Sequence, residues 1–167
     1  MREKTCCFTG HRIIRSDQLE IVSARTENTI RELITRDGMR CFRVGGAQGY
    51  DTMAANILFR LQATDFPDIQ VILVYPFDGF TSRWTDAQKA IYDRMLSQYD
   101  KCICVSPESS REAFLARDRH LVDHSSLCIA YCIRNHGGAA YTIRYAQSKG
   151  IPVRNIAFNE NTHIQVL

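Results

Sequence analysis

The sequence lacks the segments that mark membrane and exported proteins. None of its stretches reaches the roughly 18 consecutive apolar residues that suggest a transmembrane helix. The first five residues are followed by only three apolar residues before Thr9, so they do not form a secretory signal. We therefore expect a cytoplasmic protein without a membrane partner.

The sequence also lacks a strong charge of either sign. Its 21 Lys and Arg residues nearly balance its 18 Asp and Glu residues, and the formal net charge is +3. Nucleic-acid-binding domains usually carry a strongly basic patch or stripe. The composition therefore does not favour nucleic acid as a partner, although it leaves a modest basic groove open.

The seven cysteines lack the spacing of a zinc site or a disulfide framework. No two of them form a C-x2-C pair, and their number is odd. Six lie in short apolar runs that are typical of strands, where free cysteine packs as a small hydrophobic residue. We predict that the cysteines belong to the core, and we predict neither a metal site nor a cofactor.

What the sequence has is an alternation of short β-branched runs with stretches of helical periodicity. This alternation predicts βαβ units. The expected fold class is α/β, a Rossmann-like open and mostly parallel sheet of about six strands with helices on both faces. No linker or repeat interrupts the pattern, which indicates a single domain over residues 1–167, with a core at 5–158 and a loose tail at 159–167.

The predicted elements have these bounds. Strands are expected at residues 5–9, 41–44, 69–74, 101–105, 127–131 and 151–158. Helices are expected at residues 18–37, around 53–61, at 83–98, after a capping box of Ser109 and Glu112, and at 139–149. The buried stripe of the third helix is predicted to contain Trp84, Ala87, Ile91 and Met95.

A glycine-rich turn between the second strand and its helix is the strongest local motif. Glycines allow positive φ angles and a close approach to a ligand, and the helix start offers unpaired N–H groups to an anion. Asp51 would cap the helix or bind a ribose hydroxyl. The alternative is a tight turn with an ordinary cap. The residues predicted to bind are Gly45, Gly46, Ala47, Gly49 and Asp51.

Two further turns follow predicted strands. Gly137 and Gly138 precede the last helix, where Thr142 adds a hydroxyl donor. Gly10 and Arg12 follow the first strand, and an arginine can bind phosphate through two parallel hydrogen bonds. His11, between them, is either a donor to the ligand or a residue that satisfies the turn. Because right-handed crossovers bring the carboxyl ends of the strands to one edge, all three turns should gather there.

Two other segments offer side chains to a ligand. Phe77 and Trp84 lie in a loop of about ten residues and could stack on a base, although Trp84 could equally staple the start of the third helix. Arg117 begins a charged run that we interpret mostly as a solvated helix face. Asp123, His124 and the serine that follows are adjacent, so they do not form a hydrolytic triad.

Taken in order, the three turns, the Phe77–Trp84 loop and the Arg117 run resemble the YpsA-like branch of the SLOG superfamily, a bacterial branch. That superfamily also holds the DNA-processing protein DprA and the Lonely Guy nucleotide hydrolases. The resemblance covers about residues 5–158. It implies a nucleotide or nucleotide derivative held over the glycine-rich turns. The site residues that it implies are Gly10, Arg12, Gly45, Gly46, Gly49, Asp51, Gly137 and Gly138.

One departure from the related hydrolases bears on activity. Lonely Guy enzymes carry a P-G-G-x-G-T-x-x-E signature, whose Glu supports cleavage of the N-glycosidic bond, and in that frame this chain has Arg144. The leading hypothesis is therefore binding or sensing of a nucleotide-like small molecule. The alternatives are an N-glycosidase or phosphoribohydrolase, with Asp51, Asp118 or Asp123 replacing the Glu, and single-stranded DNA binding of the DprA type. The sequence assigns no catalytic residue and leaves a homo-oligomer open.

Overall fold

The computed structural model describes residues 1–158. Its strands are β1 (Thr5–Gly10), β2 (Cys41–Val44), β3 (Gln70–Tyr75), β4 (Lys101–Cys104), β5 (Leu127–Tyr131) and β6 (Val153–Asn155). Its helices are α1 (Leu19–Thr35), α2 (Tyr50–Thr64), α3 (Asp86–Leu96), α4 (Arg111–Asp123) and α5 (Gly138–Ser148). The predicted tail lies outside the described residues.

The six strands form one sheet in the order β4-β3-β2-β1-β5-β6, and every neighbouring pair is parallel. This confirms the predicted Rossmann-like α/β fold, with a sheet that is wholly rather than mostly parallel. The chain moves outward from β1 to β4 and then returns to place β5 on the other side of β1. The order therefore reverses at β1, which is where open α/β sheets bind ligands.

The core lies on both faces of the sheet, as the alternation of β1 shows. Cys6 and Phe8 pack in a cluster with residues of α1 and α2, such as Ile30 and Leu58. Cys7, between them, belongs to a second cluster that includes residues of α4 and α5. Successive side chains of a strand point to opposite faces, so one short strand contributes to both layers.

Helix α3 differs most from its prediction. Thr85 caps it in a capping box with Gln88, and of the predicted buried stripe only Met95 is buried. Ala87 is exposed, and Ile91 is 43% exposed. The prediction of the stripe was wrong because α3 accompanies the edge strand β4, where there is little sheet to cover. Trp84 precedes the cap, and no apolar residue stands at the fourth helical position, Lys89, to complete a staple.

The edge position of β4 also corrects the assignment of the cysteines. Cys102 and Cys104 are exposed, whereas the other five cysteines are buried as predicted. The capping prediction for α4 is shifted by one residue. Ser110, not Ser109, accepts a hydrogen bond from the N–H of Ala113, and Glu112 pairs with Arg119.

Residues 1–158 lack two kinds of feature. No helix there is both long and apolar enough to cross a bilayer. No group of three or more His, Cys, Asp or Glu side chains in that part of the chain is placed to hold a metal ion.

Candidate functional site

A cleft of about 320 Å³ lies at the carboxyl edge of the sheet, where the loops after β1 and β5 meet the start of α2. The N–H of His11 donates to the carbonyl of Tyr131 (3.2 Å), which joins those two loops. All three predicted turns contribute to the cleft. The predicted site residues that line it are Gly10, His11, Arg12, Ala47, Asp51, Arg117, Gly137 and Gly138.

The loops after β1 and β2 interlock through glycines. A Cβ on Gly49, whose φ is +75°, would lie 2.1 Å from the carbonyl oxygen of Arg12. A Cβ on Gly10 would lie 2.4 Å from the ring of Tyr50. The N–H of Tyr50 donates to the carbonyl of His11 (3.1 Å), so the start of α2 is partly satisfied by protein. These glycines allow two loops to touch each other.

The remaining glycines of the first turn are also enclosed by protein. A Cβ on Gly45 would lie 2.9 Å from Nη1 of Arg117, and one on Gly46 would lie 2.7 Å from a methyl group of Leu73. The N–H of Ala47 donates to Oδ2 of Asp51 (3.1 Å). The structure thus gives the first glycine turn an internal packing role, and Gly45, Gly46 and Gly49 do not line the cleft.

The turn before α5 has different surroundings. Gly137, with a φ of +90°, is the N-cap of α5, and no side chain caps this helix. Nothing lies within 4 Å of a Cβ built on Gly137 or Gly138. Thr142 is buried and donates to the carbonyl of Gly138 (2.9 Å), so the helix itself uses the predicted donor. The uncapped N–H groups and the helix dipole together favour an anion here.

Cationic side chains surround this turn. Arg12, Arg134 and His136 line the cleft and are exposed at its mouth. Within residues 1–158, none of them forms a hydrogen bond or an ion pair through its side chain. Sequence reasoning missed Arg134 and His136, although their position directly before Gly137 was a usable signal. The mouth of the cleft is therefore suited to a negatively charged group.

His11 lines the cleft and also satisfies the turn through one ring nitrogen. It is only 7% exposed, and its Nε2 accepts a hydrogen bond from the N–H of Ile133 (2.8 Å). Burial, with the nearby charges of Arg134 and His136, lowers the pKa of His11 below its usual value. The hydrogen bond to Nε2 fits the turn-satisfying role, and the role of His11 as a donor to a ligand stays a prediction.

Arg117 and Asp118 form a buried ion pair under the cleft. Nε of Arg117 donates to Oδ1 of Asp118 (2.8 Å), and Nη1 donates to the carbonyl of Gly45. The prediction of a solvated helix face was wrong for these two residues, because this side of α4 packs against the sheet. Arg117 fixes the first glycine turn, and burial raises the pKa of Asp118.

Asp51 is a buried carboxylate with one unpartnered oxygen. Its Oδ2 accepts the Ala47 N–H, whereas its Oδ1 has no hydrogen-bond partner within residues 1–158. Burial raises the pKa of Asp51 to about 6, although the charge of Arg117 acts in the opposite direction. Gly49 is the N-cap of α2, so the predicted capping role of Asp51 was wrong. The floor of the cleft thus holds a buried carboxyl group with one acceptor oxygen unused.

The remaining predicted residues lie elsewhere. Phe77 is buried and packs edge-on against Phe114, with ring centroids 5.4 Å apart, so it does not line the cleft. Trp84 lines a second cleft beyond the interlocked loops. Arg144 donates to the carbonyl of Asn135 (2.9 Å) and so supports the loop that carries Arg134 and His136. Asp123, by contrast, accepts a hydrogen bond from Tyr145 and does not line the cleft.

Two solved structures resemble this fold. DNA processing protein A from Helicobacter pylori aligns with a TM-score of 0.60 and 20% identity, over 91% of this chain and 64% of that one. DprA from Streptococcus pneumoniae aligns with a TM-score of 0.64 and 18% identity, over 89% of this chain and 48% of that one. The chain therefore spans about two thirds of one structure and half of the other.

The alignments with sequence relatives cover a larger share of each relative than the structural alignments do. A UPF0398 protein of Bacillus pumilus (strain SAFR-032) is 24% identical over 155 residues, which are 87% of this chain and 82% of the relative. A UPF0398 protein of Bacillus cereus (strain ATCC 14579) is 26% identical over 125 residues, 72% of this chain and 67% of the relative. The family model YpsA, described as the YspA SLOG family, matches residues 8–160. This match confirms the resemblance inferred from the motifs, and the chain belongs to the YspA SLOG family.

Proposed function

We propose that this protein binds or senses a nucleotide or nucleotide derivative whose phosphate lies at the start of α5. The observation that carries the proposal is the open turn of Gly137 and Gly138, where an uncapped helix start faces the cleft and nothing fills the space of either missing side chain. A phosphate oxygen could approach these backbone N–H groups without displacing protein.

The charges around the turn support the same proposal. Arg12, Arg134 and His136 surround the cleft without partners of their own in the described part of the chain. A phosphate would complete their pairing, and an arginine can bind it through two hydrogen bonds. The acids Asp51 and Asp118 lie on the floor, where they suit the hydroxyl groups of a sugar better than its phosphate.

A hydrolase remains an alternative because Asp51 and Asp118 line the cleft. Asp118 is paired with Arg117, and one oxygen of Asp51 is used by Ala47. Of the oxygens of these two acids, Oδ1 of Asp51 is the one that is fully buried without a hydrogen-bond partner in residues 1–158. Since Arg144 takes the place of the catalytic Glu of the related enzymes, the geometry favours binding over cleavage.

Single-stranded DNA is the second candidate ligand, and one comparison favours it. The similar Helicobacter pylori protein is described by its binding mode for single-stranded DNA. The cationic mouth of the cleft is compatible with a DNA phosphate as well as with a free nucleotide. Salt separates the two, because a strand that contacts several phosphates releases counterions and loses affinity steeply as salt rises.

The test is isothermal titration of the protein with ribose 5-phosphate, AMP and a short thymidine oligonucleotide at two salt concentrations. We expect ribose 5-phosphate and AMP to bind, and Gly137→Ala to weaken both by about tenfold or more, the equivalent of losing about 1.4 kcal/mol. The matched control is Gly79→Ala, since Gly79 also has a positive φ (+79°) and open space but lies outside the cleft.

The outcomes separate clearly. Equal weakening by the two glycine variants would mean that backbone strain, not the cleft, causes the effect. An absence of binding by both phosphate compounds at millimolar concentration would contradict the proposal. Release of free adenine from AMP would establish the hydrolase alternative.

A further inference from the structure

A second cleft, of about 330 Å³, lies on the far side of the interlocked loops. Trp84 and Tyr92 from the α3 region, Met53 from α2 and Ile14 from the loop after β1 form its apolar wall. None of its lining residues within the described chain is charged. Ligand pockets typically combine such apolar walls with a few placed polar groups. This apolar cleft therefore suits an uncharged group, whereas the first cleft, called the cationic cleft below, suits a charged one.

The aromatic wall is held in place by ring contacts. Trp84 packs edge-on against Tyr92, with centroids 5.8 Å apart and an interplanar angle of 81°. Phe80 contacts both rings edge-on, at 5.6 and 5.4 Å. Edge-to-face packing fixes the rings while it leaves part of their faces available. A planar aromatic ligand could use such a surface without first ordering the side chains.

Amide side chains supply the polar groups. Gln48 and Asn56 form no side-chain hydrogen bond within residues 1–158. Gln88 uses its Oε1 to accept the N–H of Thr85, which leaves its NH₂ group available. Gln48 and Asn56 each offer both a donor and an acceptor, the combination that pairs with the edge of a heterocyclic base, and Gln88 adds a donor. A purely aliphatic ligand would leave these groups unsatisfied.

The two clefts adjoin along one ridge. Arg12 faces the cationic cleft and Ile14, two residues later, the apolar one. Likewise, Ala47 lines the cationic cleft, and the next residue, Gln48, lines the apolar one. Because consecutive Cα atoms are about 3.8 Å apart, the walls of the two clefts are separated by a single thickness of backbone. One molecule with a charged end and an uncharged end could therefore engage both.

We propose that the apolar cleft binds the uncharged heterocyclic base of the ligand whose phosphate lies at α5. This inference rests on the proposed function and specifies the ligand as a base linked to a phosphate. The linked base can come from a free nucleotide or from a residue of a single strand, and the experiment includes both sources. The rim of the apolar cleft offers further surface to a base, because Leu19 and Ile91 are each 43% exposed.

Trp84 makes the proposal directly measurable. It is the only tryptophan of the chain, so tryptophan fluorescence reports on this cleft. We expect AMP and adenosine to quench the fluorescence, whereas ribose 5-phosphate binds without quenching. A thymidine oligonucleotide that quenches more strongly than thymidine monophosphate, with a steep dependence on salt, would identify a strand as the source of the base.

A matched pair of variants tests the location. Ile91→Gln makes the rim of the cleft polar, and Ile21→Gln changes an isoleucine of α1 that is equally exposed (44%) but lies outside the cleft. We expect Ile91→Gln to weaken AMP by about tenfold and to leave ribose 5-phosphate unchanged. Ile21→Gln should alter neither.

The failure of this inference differs from the failure of the proposed function. If AMP and ribose 5-phosphate bind equally well and neither quenches Trp84, the base cleft is refuted while the phosphate site stands. If Ile91→Gln weakens ribose 5-phosphate as much as AMP, the base assignment is likewise refuted. If no phosphate compound binds but adenosine still quenches Trp84, the base cleft stands and the phosphate site falls.

Discussion

The turn after β2 and the turn before α5 have similar sequences but opposite surroundings. Gly45, Gly46 and Gly49 leave no room for a side chain, because Arg117, Leu73 and the backbone of Arg12 occupy the space. Gly137 and Gly138 have nothing within 4 Å. Glycine permits a close approach in both turns, but in the first turn the approaching group is protein, and in the second the space is open to a ligand.

A glycine-rich turn is therefore not by itself a phosphate-binding signal. The space around the missing side chain distinguishes the two uses, and that space is set by residues distant in sequence. Arg117, which encloses Gly45, belongs to helix α4 and lies 72 residues later in the chain. The following substitutions test whether the first turn is structural and the second functional.

The largest effect is expected for Arg117→Met. Arg117 is 7% exposed, and removal of its guanidinium leaves the Asp118 carboxylate and the carbonyl of Gly45 buried without their partner. Breaking a buried pair in this way typically costs about 3–5 kcal/mol. Urea denaturation should show a loss of about 4 kcal/mol in the free energy of unfolding. A loss below about 1 kcal/mol would show that Arg117 does not hold the first turn.

The next effect is expected for Gly49→Ala, measured beside Gly137→Ala. Both glycines have a positive φ, +75° and +90°, so both variants bear backbone strain. Only at Gly49 does the new methyl group meet backbone, at 2.1 Å from Arg12. We expect a cost of about 3 kcal/mol for Gly49→Ala and about 1 kcal/mol for Gly137→Ala. Equal costs would remove the distinction between the packed turn and the open one.

An effect of opposite sign is expected for Asp51→Asn. Burial raises the pKa of Asp51 from 3.8 to about 6, so the folded state holds this proton more tightly than the unfolded state does. The stability linked to that proton is complete below the unfolded pKa and is lost as the pH rises through about 6. Asn cannot ionise and can still accept the Ala47 N–H.

The variant should therefore be more stable than the parent by up to about 3 kcal/mol near pH 8. The gain should shrink as the pH falls from about 6 towards about 4, where both side chains are uncharged. Thermal or urea unfolding across this range measures the difference. A gain that does not change with pH would show that ionisation of Asp51 is not its cause.

The order of elements was readable from the sequence because the pattern is local. Strand β3, nearly all apolar, was expected at residues 69–74 and occurs at Gln70–Tyr75, since a central strand must be covered on both faces. Helix α3 was placed correctly but its buried face was not. Its exposure depends on β4 being an edge strand, and strand order is a property of the whole sheet.

The candidate site was partly predictable for the same reason. Arg12, Gly137 and Gly138 follow strands directly, and the rule of right-handed crossovers brings them to one edge. Arg134 and His136 were missed, although they also lie in such a loop. The burial of Arg117 and Asp118 could not be inferred, because their charge indicates solvent until a buried pairing is known.

The contact between Gly49 and the carbonyl of Arg12 has a consequence for the strength of binding. It fixes the backbone of the loop that carries the Arg12 side chain, even though that side chain itself is exposed. In this loop a ligand would then restrict only the rotamers of the Arg12 side chain, at roughly 0.5–1.5 kcal/mol, and would not have to order the backbone. The packed glycine turn thus strengthens binding, because folding has already ordered the loop backbone and binding loses no further backbone entropy there.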